Sequence, residues 1–363
     1  MKAITHILTL VCVLGTFSAS AQRQAPVESP QVHEDRTVTF QIGAPNAGEV
    51  KVNGQWKDGF AAMVKGENGV WSVTVGPVEP GVWEYSFQVD GLSMIDPANS
   101  WIKPMHSPRT SILHLPANPP ALFDYREVSH GIVRSHAYYS KSVDRLRYLS
   151  VYTPPGYDQK TAESYPVFYL QHGSGDNQDT WTVHGKAHWI ADNLVAEGKA
   201  VPMLIVMMDG HAQVPRGREN TQYFERDLLE DVIPFVELNY RVKADADHRA
   251  LIGLSMGGGQ SLTIGLNHAD TFAWVGGFSS SVPNEEAIGR ALENIDTTNE
   301  RLKLLWIACG KDDFLLERNK TFIELLKDKH IEHEWFLTEG NHSWPVWRGY
   351  LADVLPRGAF LNQ

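Results

Sequence analysis

The feature that most restricts the fold is an uninterrupted apolar run, Met-Leu-Ile-Val-Met-Met, at residues 203–208. A strand without polar alternation is covered on both faces, which is typical of a parallel sheet. Strand patterns at residues 149–153 and 167–170 alternate with helical patterns at 188–197, 227–239, 260–268 and 317–329. This part of the chain is therefore predicted to be α/β, a mostly parallel sheet with helices on both faces.

The first part of the chain has a different pattern. Residues 37–42, 71–75 and 82–89 alternate polar and apolar side chains, and Asn-Gly or Asp-Gly dipeptides occur at 53–54, 68–69 and 90–91. Short alternating strands between such turns predict a small all-β, immunoglobulin-like sandwich. Because a Pro-rich linker follows at residues 116–120, we expect a sandwich over residues 35–116 and an α/β domain over residues 120–363.

The N-terminus and the charge bear on location and partners. Residues 1–21 combine Lys2, a short apolar run and Ala-Ser-Ala at 19–21, the pattern of a cleavable signal peptide. The run is too short to span a bilayer, so we expect a secreted or periplasmic protein without membrane insertion. A net charge of −11 argues against nucleic acid as a partner. Only Cys309 would remain after cleavage, so no intramolecular disulfide is expected.

The motif with the clearest chemistry is Gly-Leu-Ser-Met-Gly at residues 253–257. A strand pattern precedes it and a helical pattern follows it, which is the context of a nucleophile elbow in the α/β-hydrolase fold. Such a serine occupies a tight, strained turn, so its neighbours two residues away must lack a Cβ atom. Ser255 is therefore the candidate nucleophile, and the following helix N-terminus would place partial positive charge near a developing oxyanion.

A nucleophilic serine needs a base and an orienting acid, which follow it in this fold in the order acid, then histidine. The strand pattern at residues 304–309 leads into a loop with two candidate acids, Asp312 and Asp313. A later short strand leads into a Gly-containing loop with His342, the candidate base. His330 and His333 flank a helix–strand junction and are expected at the surface.

The oxyanion hole is expected to use the backbone N–H of Met256 and one from the loop after an earlier strand. The segment Gln-His-Gly-Ser-Gly at residues 171–175 fits that loop, with Gly173 or Ser174 as the donor. His184 and His188 have the i, i+4 spacing of metal ligands on a helix. Because no third ligand is evident, we expect no metal site.

As a set, these segments resemble carbohydrate esterase family one, which includes feruloyl and acetylxylan esterases. The resemblance covers residues 125–360 and also rests on Trp181, Asp-Leu-Leu at 227–229, Tyr-Arg-Val at 240–242, Cys-Gly-Lys-Asp-Asp at 309–313 and Gly-Asn-His-Ser-Trp at 340–344. In feruloyl esterases of this family the triad acid ends a Cys-Gly-x-x-Asp stretch, which implies Asp313 rather than Asp312. The N-terminal region resembles a family 48 carbohydrate-binding module in Ala-Pro-Asn-Ala at 44–47, Gly-Val-Trp at 69–71 and residues 85–91.

The resemblance implies a serine carboxylic-ester hydrolase that needs no cofactor. Its expected substrates are feruloyl or acetyl esters of plant hemicellulose (xylan), so a cell-wall polysaccharide or oligosaccharide is the expected partner. His172, Trp181 and Trp344 are candidate substrate contacts, although His172 also fits a structural role. Trp181, Trp189, Trp344 and Trp347 fit either the walls of an acyl pocket or the core.

Two alternatives remain open from the sequence. A siderophore-ester (enterochelin-type) hydrolase also joins a β-sandwich to this type of domain, but the signal peptide argues against it. A non-catalytic carbohydrate-binding protein is the other, and the intact Ser255, Asp313 and His342 argue against that. The sequon Asn-His-Ser at residues 341–343 favours a bacterial source, because a glycan there would obstruct the site.

The sequence also suggests a division of labour between the two parts of the chain. The sandwich contains no identifiable nucleophile, base or oxyanion donor. We therefore expect it to affect polymeric substrates through local concentration and to leave the chemistry to residues 120–363. Whether it binds glycan or only shields the reacting face stays open.

Overall fold

The computed structural model describes residues 27–213, 217 and 219–357. The signal peptide expected at residues 1–21 lies outside them. Within this described part of the chain, no helix has the combined length and apolarity needed to cross a bilayer.

The N-terminal region forms two antiparallel sheets, as the alternation predicts. One sheet has the order β1-β2-β6-β5, and the other has the order β4-β3-β7-β8, with β9 also paired to β7. The strands are β1 (Gln31–Val32), β2 (Val38–Gly43), β3 (Val50–Gly54), β4 (Phe60–Ala62), β5 (Val64–Lys65), β6 (Val70–Val75), β7 (Gly81–Val89), β8 (Leu92–Met94) and β9 (Ser111–Leu115).

The core of this region follows from the two-residue period of its strands. Every second side chain of β2 points inward, so Val38, Phe40 and Ile42 are buried while the residues between them are partly exposed. The ring of Phe40 stacks on Trp56 with centroids 5.7 Å apart and packs against Tyr85 from the facing sheet. Burial of these aromatic groups between the sheets stabilises the sandwich.

The second part of the chain contains a mixed sheet of order β10-β11-β13-β12-β14-β15-β16-β17. Strands β10, β11 and β13 pair antiparallel at one edge, and the pairs from β13 through β17 are parallel. The strands are β10 (Ile132–Ser140), β11 (Arg145–Thr153), β12 (Val167–Gln171), β13 (Leu204–Met208), β14 (Arg249–Leu254), β15 (Trp274–Phe278), β16 (Leu304–Gly310) and β17 (Glu334–Thr338).

Helices cover both faces of this sheet, and the predicted α/β-hydrolase architecture is confirmed. All five residues of β13 are buried, and separate apolar clusters lie on the two faces. The helices are α1 (Thr180–Val183), α2 (Ala187–Ala196), α3 (Asn220–Arg226), α4 (Ile233–Asn239), α5 (Ser255–Asn267), α6 (Gly289–Glu293), α7 (Ile295–Arg301), α8 (Leu316–Asp328) and α9 (Trp344–Arg357).

The two parts of the chain are in direct contact. Arg348 on α9 is buried and donates hydrogen bonds to the carbonyl oxygens of Val82 in the sandwich (3.0 Å) and His184 (3.2 Å). Met105, in the segment between β8 and β9, forms an isolated β-bridge with Asp176. The sandwich therefore packs against the α/β domain next to the loop that follows β12.

Candidate active site

Ser255 lies at a sharp turn from strand to helix. Strand β14 ends at Leu254, α5 begins at Ser255, and the φ angle of Ser255 is 53°, a left-handed conformation that costs a non-glycine residue free energy. A Cβ atom on Gly253 would lie 2.6 Å from the carbonyl oxygen of Gly257, and one on Gly257 would lie 2.3 Å from that of His172. The two glycines thus permit the turn that presents the serine hydroxyl.

Ser255, His342 and Asp313 form a continuous hydrogen-bonded chain. The Ser255 hydroxyl lies 3.0 Å from His342 Nε2, and His342 Nδ1 lies 2.9 Å and 3.1 Å from the two carboxylate oxygens of Asp313. Asp313 follows β16, and His342 lies in the loop between β17 and α9. Strands β14, β16 and β17, all in the parallel part of the sheet, thus bring the three side chains together at their carboxyl ends.

The environments of the two candidate acids differ. Asp312 is exposed, whereas Asp313 is only 5% exposed and accepts a hydrogen bond from the Leu315 N–H at 2.8 Å. Burial alone would raise the pKa of Asp313, but hydrogen bonds from His342 and Leu315 outweigh it and hold the pKa below its usual value. Asp313 is therefore an anion at neutral pH, suited to holding the proton of His342 on Nδ1.

The loop after β12 lies directly against the elbow. A Cβ atom on Gly173 would come within 3.4 Å of the Ser255 Cβ. The N–H of Ser174 has no acceptor among the described residues, and the N–H of Met256 belongs to the first turn of α5, where helical N–H groups lack intrahelical partners. These two donors suit an oxyanion at the carbon that Ser255 would attack.

A pocket of about 380 Å³ opens onto this site. Ser255, Ser174 and His342 line it, and its apolar walls come from Leu254, Phe314, Trp344 and Trp347. Its volume is within the usual range for small-molecule sites. Trp344 is thus placed where a substrate contact was expected.

The structure corrects the other two expected substrate contacts. Trp181 is 1% exposed, donates its indole N–H to the Gln171 carbonyl oxygen at 3.1 Å and lies outside the pocket lining. His172 is equally buried, and its Nδ1–H donates to the Gly173 carbonyl oxygen while Nε2 accepts the Gly210 N–H. With both nitrogens occupied, His172 supports the backbone of the loop after β12, and Trp181 is a core residue.

The pocket also contains residues that the sequence reasoning missed. Gln55, Glu84, Lys103 and Met105, all from the N-terminal region, line it together with Ser255. No local motif marks them, because their function depends on contacts with residues far along the chain. The expected division of labour is therefore wrong in one respect, since the N-terminal region forms part of the pocket wall.

Two sets of side chains bear on metal binding. His184 lies with Nε2 3.3 Å from Glu84 Oε1, and the i, i+4 pair His184 and His188 does not belong to the group of possible metal ligands found among the described residues. His106, Asp209 and His211 form a tighter group. In that group His106 hydrogen-bonds Asp209 at 3.1 Å, and His211 Nε2 accepts the Gly175 N–H at 3.0 Å. Those hydrogen bonds engage Nε2 of both imidazoles and one carboxylate oxygen of Asp209.

Comparison with known proteins decides the family. The Esterase family model matches residues 140–357, more than half of the chain. The chain belongs to the Esterase family. The match contains every residue of the hydrogen-bonded chain and both candidate oxyanion donors, and it begins after the sandwich.

Among curated relatives, an endo-1,4-beta-xylanase/feruloyl esterase of Xylanibacter ruminicola is 32% identical over 356 residues, covering 93% of this chain and 47% of that protein. Endo-1,4-beta-xylanase Y of Acetivibrio thermocellus is 27% identical over 247 residues, covering 59% of this chain and 22% of that protein. The chain thus spans half or less of the length of these relatives.

Among solved structures, a CE1 ferulic acid esterase from Anaeromyces mucronatus, in complex with ferulic acid, has a TM-score of 0.57 at 25% identity. It covers 66% of this chain and 95% of that one. The enterobactin esterase of Shigella flexneri has a TM-score of 0.63 at 18% identity, covering 89% of this chain and 92% of that one. The second likeness concerns the fold alone, and its coverage extends into the N-terminal region.

Proposed function

We propose that this protein is a serine carboxylic-ester hydrolase that removes feruloyl or acetyl groups from plant hemicellulose through an acyl-enzyme. The hydrogen-bonded chain from Ser255 through His342 to Asp313 carries the proposal. A serine on a strained turn, an imidazole within hydrogen-bonding distance of its hydroxyl and a buried carboxylate are the parts of a Ser-His-Asp triad.

In the first half-reaction, Ser255 Oγ attacks the ester carbonyl carbon while its proton passes to His342 Nε2. The carbonyl oxygen becomes an oxyanion that accepts hydrogen bonds from the N–H groups of Ser174 and Met256. The bond from the carbonyl carbon to the leaving oxygen then breaks, and that oxygen takes the proton from His342. Asp313 stabilises the imidazolium that forms between these two transfers.

In the second half-reaction, water replaces the leaving group. Water attacks the acyl carbon and gives a proton to His342 Nε2, which passes it to Ser255 Oγ as the acyl–Ser255 bond breaks. A free carboxylic acid leaves, and the starting protonation states are restored. Apart from the ester and water, every group that takes part in this scheme is a side chain or a backbone N–H of this protein.

The choice of substrate class rests on the relatives. A xylanase/feruloyl esterase matches nearly the whole chain, including the sandwich, and a structure solved with ferulic acid matches the esterase domain. Feruloyl groups on arabinose and acetyl groups on xylose are the corresponding esters. The predicted signal peptide accords with this proposal, since a polymeric cell-wall substrate lies outside the cytoplasm.

The test is a panel of methyl ferulate, acetylated xylan and a catecholate siderophore ester, assayed with the wild type and Ser255→Ala. We expect the substitution to lower kcat by several orders of magnitude without unfolding the protein. Ser261→Ala is the matched control, because Ser261 lies in the same helix and its buried hydroxyl has no partner among the described residues. Retention of a tenth of the activity in Ser255→Ala would exclude the proposed nucleophile.

The second candidate, a siderophore-ester hydrolase, is favoured by one observation. The enterobactin esterase matches 89% of this chain, so its fold likeness includes the sandwich. Turnover of the siderophore ester in the same panel, with no turnover of the two plant-type esters, would establish that alternative. A non-catalytic carbohydrate-binding protein would hydrolyse none of the three.

A further inference from the structure

Three charged side chains meet at the buried end of the substrate pocket. Lys103 Nζ lies 3.2 Å from Glu84 Oε1 and 3.1 Å from Asp176 Oδ1. Glu84 is on β7 of the sandwich, Lys103 precedes β9, and Asp176 belongs to the loop after β12. All three line the pocket that contains Ser255, so the two parts of the chain form this charged group jointly.

The group is almost closed to solvent, since Lys103 is 8%, Glu84 6% and Asp176 4% exposed. Burying charges is costly unless hydrogen bonds satisfy them. Glu84 is supported by Thr110, which donates to its second oxygen at 2.8 Å. Asp176 Oδ1 has no well-aligned hydrogen bond among the described residues, and burial raises the pKa of Asp176. This end of the pocket therefore has unused hydrogen-bonding capacity.

The donors and acceptors present suit one kind of group. An ammonium has three protons, and Lys103 has two carboxylates within ion-pair distance, Glu84 and Asp176, so at least one proton remains for a ligand. Asp176 offers an acceptor. A hydroxyl group can accept from Lys103 and donate to Asp176 at the same time, which satisfies both.

The geometry indicates which part of the substrate reaches this end. The leaving oxygen must take a proton from His342 Nε2, and the ring of Phe314 lies 4.5 Å from the His342 ring while being 76% exposed. A polymeric leaving group needs that open side. The acyl group then occupies the other side, along the wall formed by Trp344 and Trp347, where the Lys103 ammonium lies 5.6 Å from the Trp344 ring.

We propose that Lys103 and Asp176, with Glu84 orienting the ammonium, bind the phenolic hydroxyl of a hydroxycinnamoyl group. This inference rests on the proposed function and narrows it, because an acetyl group carries no hydroxyl that these charges could bind. Lys103 and Glu84 come from the N-terminal region, so that region determines acyl specificity in addition to any effect on polymer binding.

The experiment compares three methyl esters, two that carry this hydroxyl and one that lacks it. Methyl ferulate carries it, and methyl cinnamate has the same chain and ring without ring substituents, so methyl 4-hydroxycinnamate is included to separate the hydroxyl from the methoxy group. The quantity measured is the ratio of kcat/KM for each hydroxylated ester to that for methyl cinnamate. A hydrogen bond to a charged group supports a ratio of about tenfold or more in the wild type.

Lys103→Met keeps the length of the side chain and removes its donors. We expect it to bring both ratios close to one, and Asp176→Asn to reduce them as well. Lys186→Met is the matched control, because Lys186 is a buried lysine packed between the rings of Trp101 and Trp189 and lies outside the pocket lining. Its ratios should equal those of the wild type. Thermal melts identify any variant that fails to fold, in which case Asp176→Asn decides.

The outcomes separate this inference from the function on which it rests. A wild type that hydrolyses neither these esters nor acetylated xylan contradicts the proposed function, whereas one that hydrolyses acetylated xylan alone overturns only the inference. A wild type that hydrolyses them with ratios near one, or a folded Lys103→Met with unchanged ratios, overturns the inference alone. An equal loss on all esters in both Lys103→Met and Lys186→Met also overturns it, because it shows only that a buried charge was removed.

Discussion

Exchange of Asp313 for Asn tests the site most sharply, since it replaces one carboxylate oxygen of the proposed triad by an NH₂ group. The Leu315 N–H donates to Asp313 Oδ1, and Oδ2 is the oxygen closest to His342 Nδ1, at 2.9 Å. In Asp313→Asn the Leu315 N–H would retain the amide oxygen, so the amide NH₂ would face His342. That NH₂ needs an acceptor, which makes Nδ1 the unprotonated nitrogen and moves the ring proton to Nε2.

An imidazole with its proton on Nε2 cannot take the proton of Ser255. The comparable exchange in a serine protease lowers kcat about 10⁴-fold by selecting the wrong tautomer. We expect a loss of about 10³- to 10⁴-fold here, because Asp313 is buried and its orientation is fixed in the same way. Steady-state hydrolysis of methyl ferulate measures the loss, and a thermal melt checks that the variant folds.

Asp312→Asn is the matched control for this exchange. The Asp312 side chain is exposed, and its contact with the His342 loop is made by its backbone N–H, which donates to the Gly340 carbonyl oxygen at 2.9 Å. We expect a change of less than about threefold, as for most surface substitutions. If Asp312→Asn were the more damaging of the two, the tautomer argument and the choice of acid would both be refuted.

Three further predictions follow from burial and packing. Gly257→Ala should destabilise the fold by about 1–3 kcal/mol and abolish hydrolysis, because its Cβ would lie 2.3 Å from a backbone oxygen; an unchanged denaturation midpoint would contradict this. Burial lowers the pKa of His188 from 6.5 to about 3, so the native state excludes a proton that the unfolded chain binds, and stability falls as the pH drops below 6.5. The resulting loss in the free energy of unfolding is about 2 kcal/mol at pH 5. His188→Gln should therefore reduce the fall in melting temperature between pH 7 and pH 5. Removal of residues 22–118 should lower kcat/KM for methyl ferulate by more than about tenfold, as expected when binding groups are lost; a folded truncation with full activity would refute a role of the N-terminal region in the pocket.

Much of the fold could be predicted because its signals are local. The apolar run at residues 203–208 predicts a buried strand, and β13 is buried throughout. Alternation predicts β2, β6 and β7 to within one or two residues. Strand β15 carries two glycines and has no comparable pattern, and α5 begins at Ser255 although glycines have low helix propensity. At both positions the backbone is packed closely against neighbouring segments, and this packing outweighs the low strand or helix propensity of glycine.

The candidate reacting groups could be picked out for a different reason. Ser255 is marked by steric demands that act within five residues, and His342 by its position after the last strand of the sheet. Substrate contacts carry no such mark. No sequence signal distinguishes Trp181 from Trp344, and both side chains are buried, yet only Trp344 lines the pocket. Which indole faces a cavity depends on how α1 and α9 pack, and that packing is not a local property.

The N-terminal region contacts the loop after β12, which carries the candidate oxyanion donor Ser174, as well as forming part of the pocket wall. The Pro104 carbonyl oxygen accepts a hydrogen bond from the Thr180 hydroxyl at 2.6 Å, and the His106 N–H donates to the Gly175 carbonyl oxygen at 3.0 Å. On the opposite side, the Gly175 N–H donates to His211. Gly175, which directly follows Ser174, is therefore fixed by two hydrogen bonds, and one of them comes from the segment before β9. Oxyanion stabilisation requires donors already in position before charge develops. A linker at residues 116–120 separates the two regions in the sequence, but the position of a candidate oxyanion donor depends on both of them.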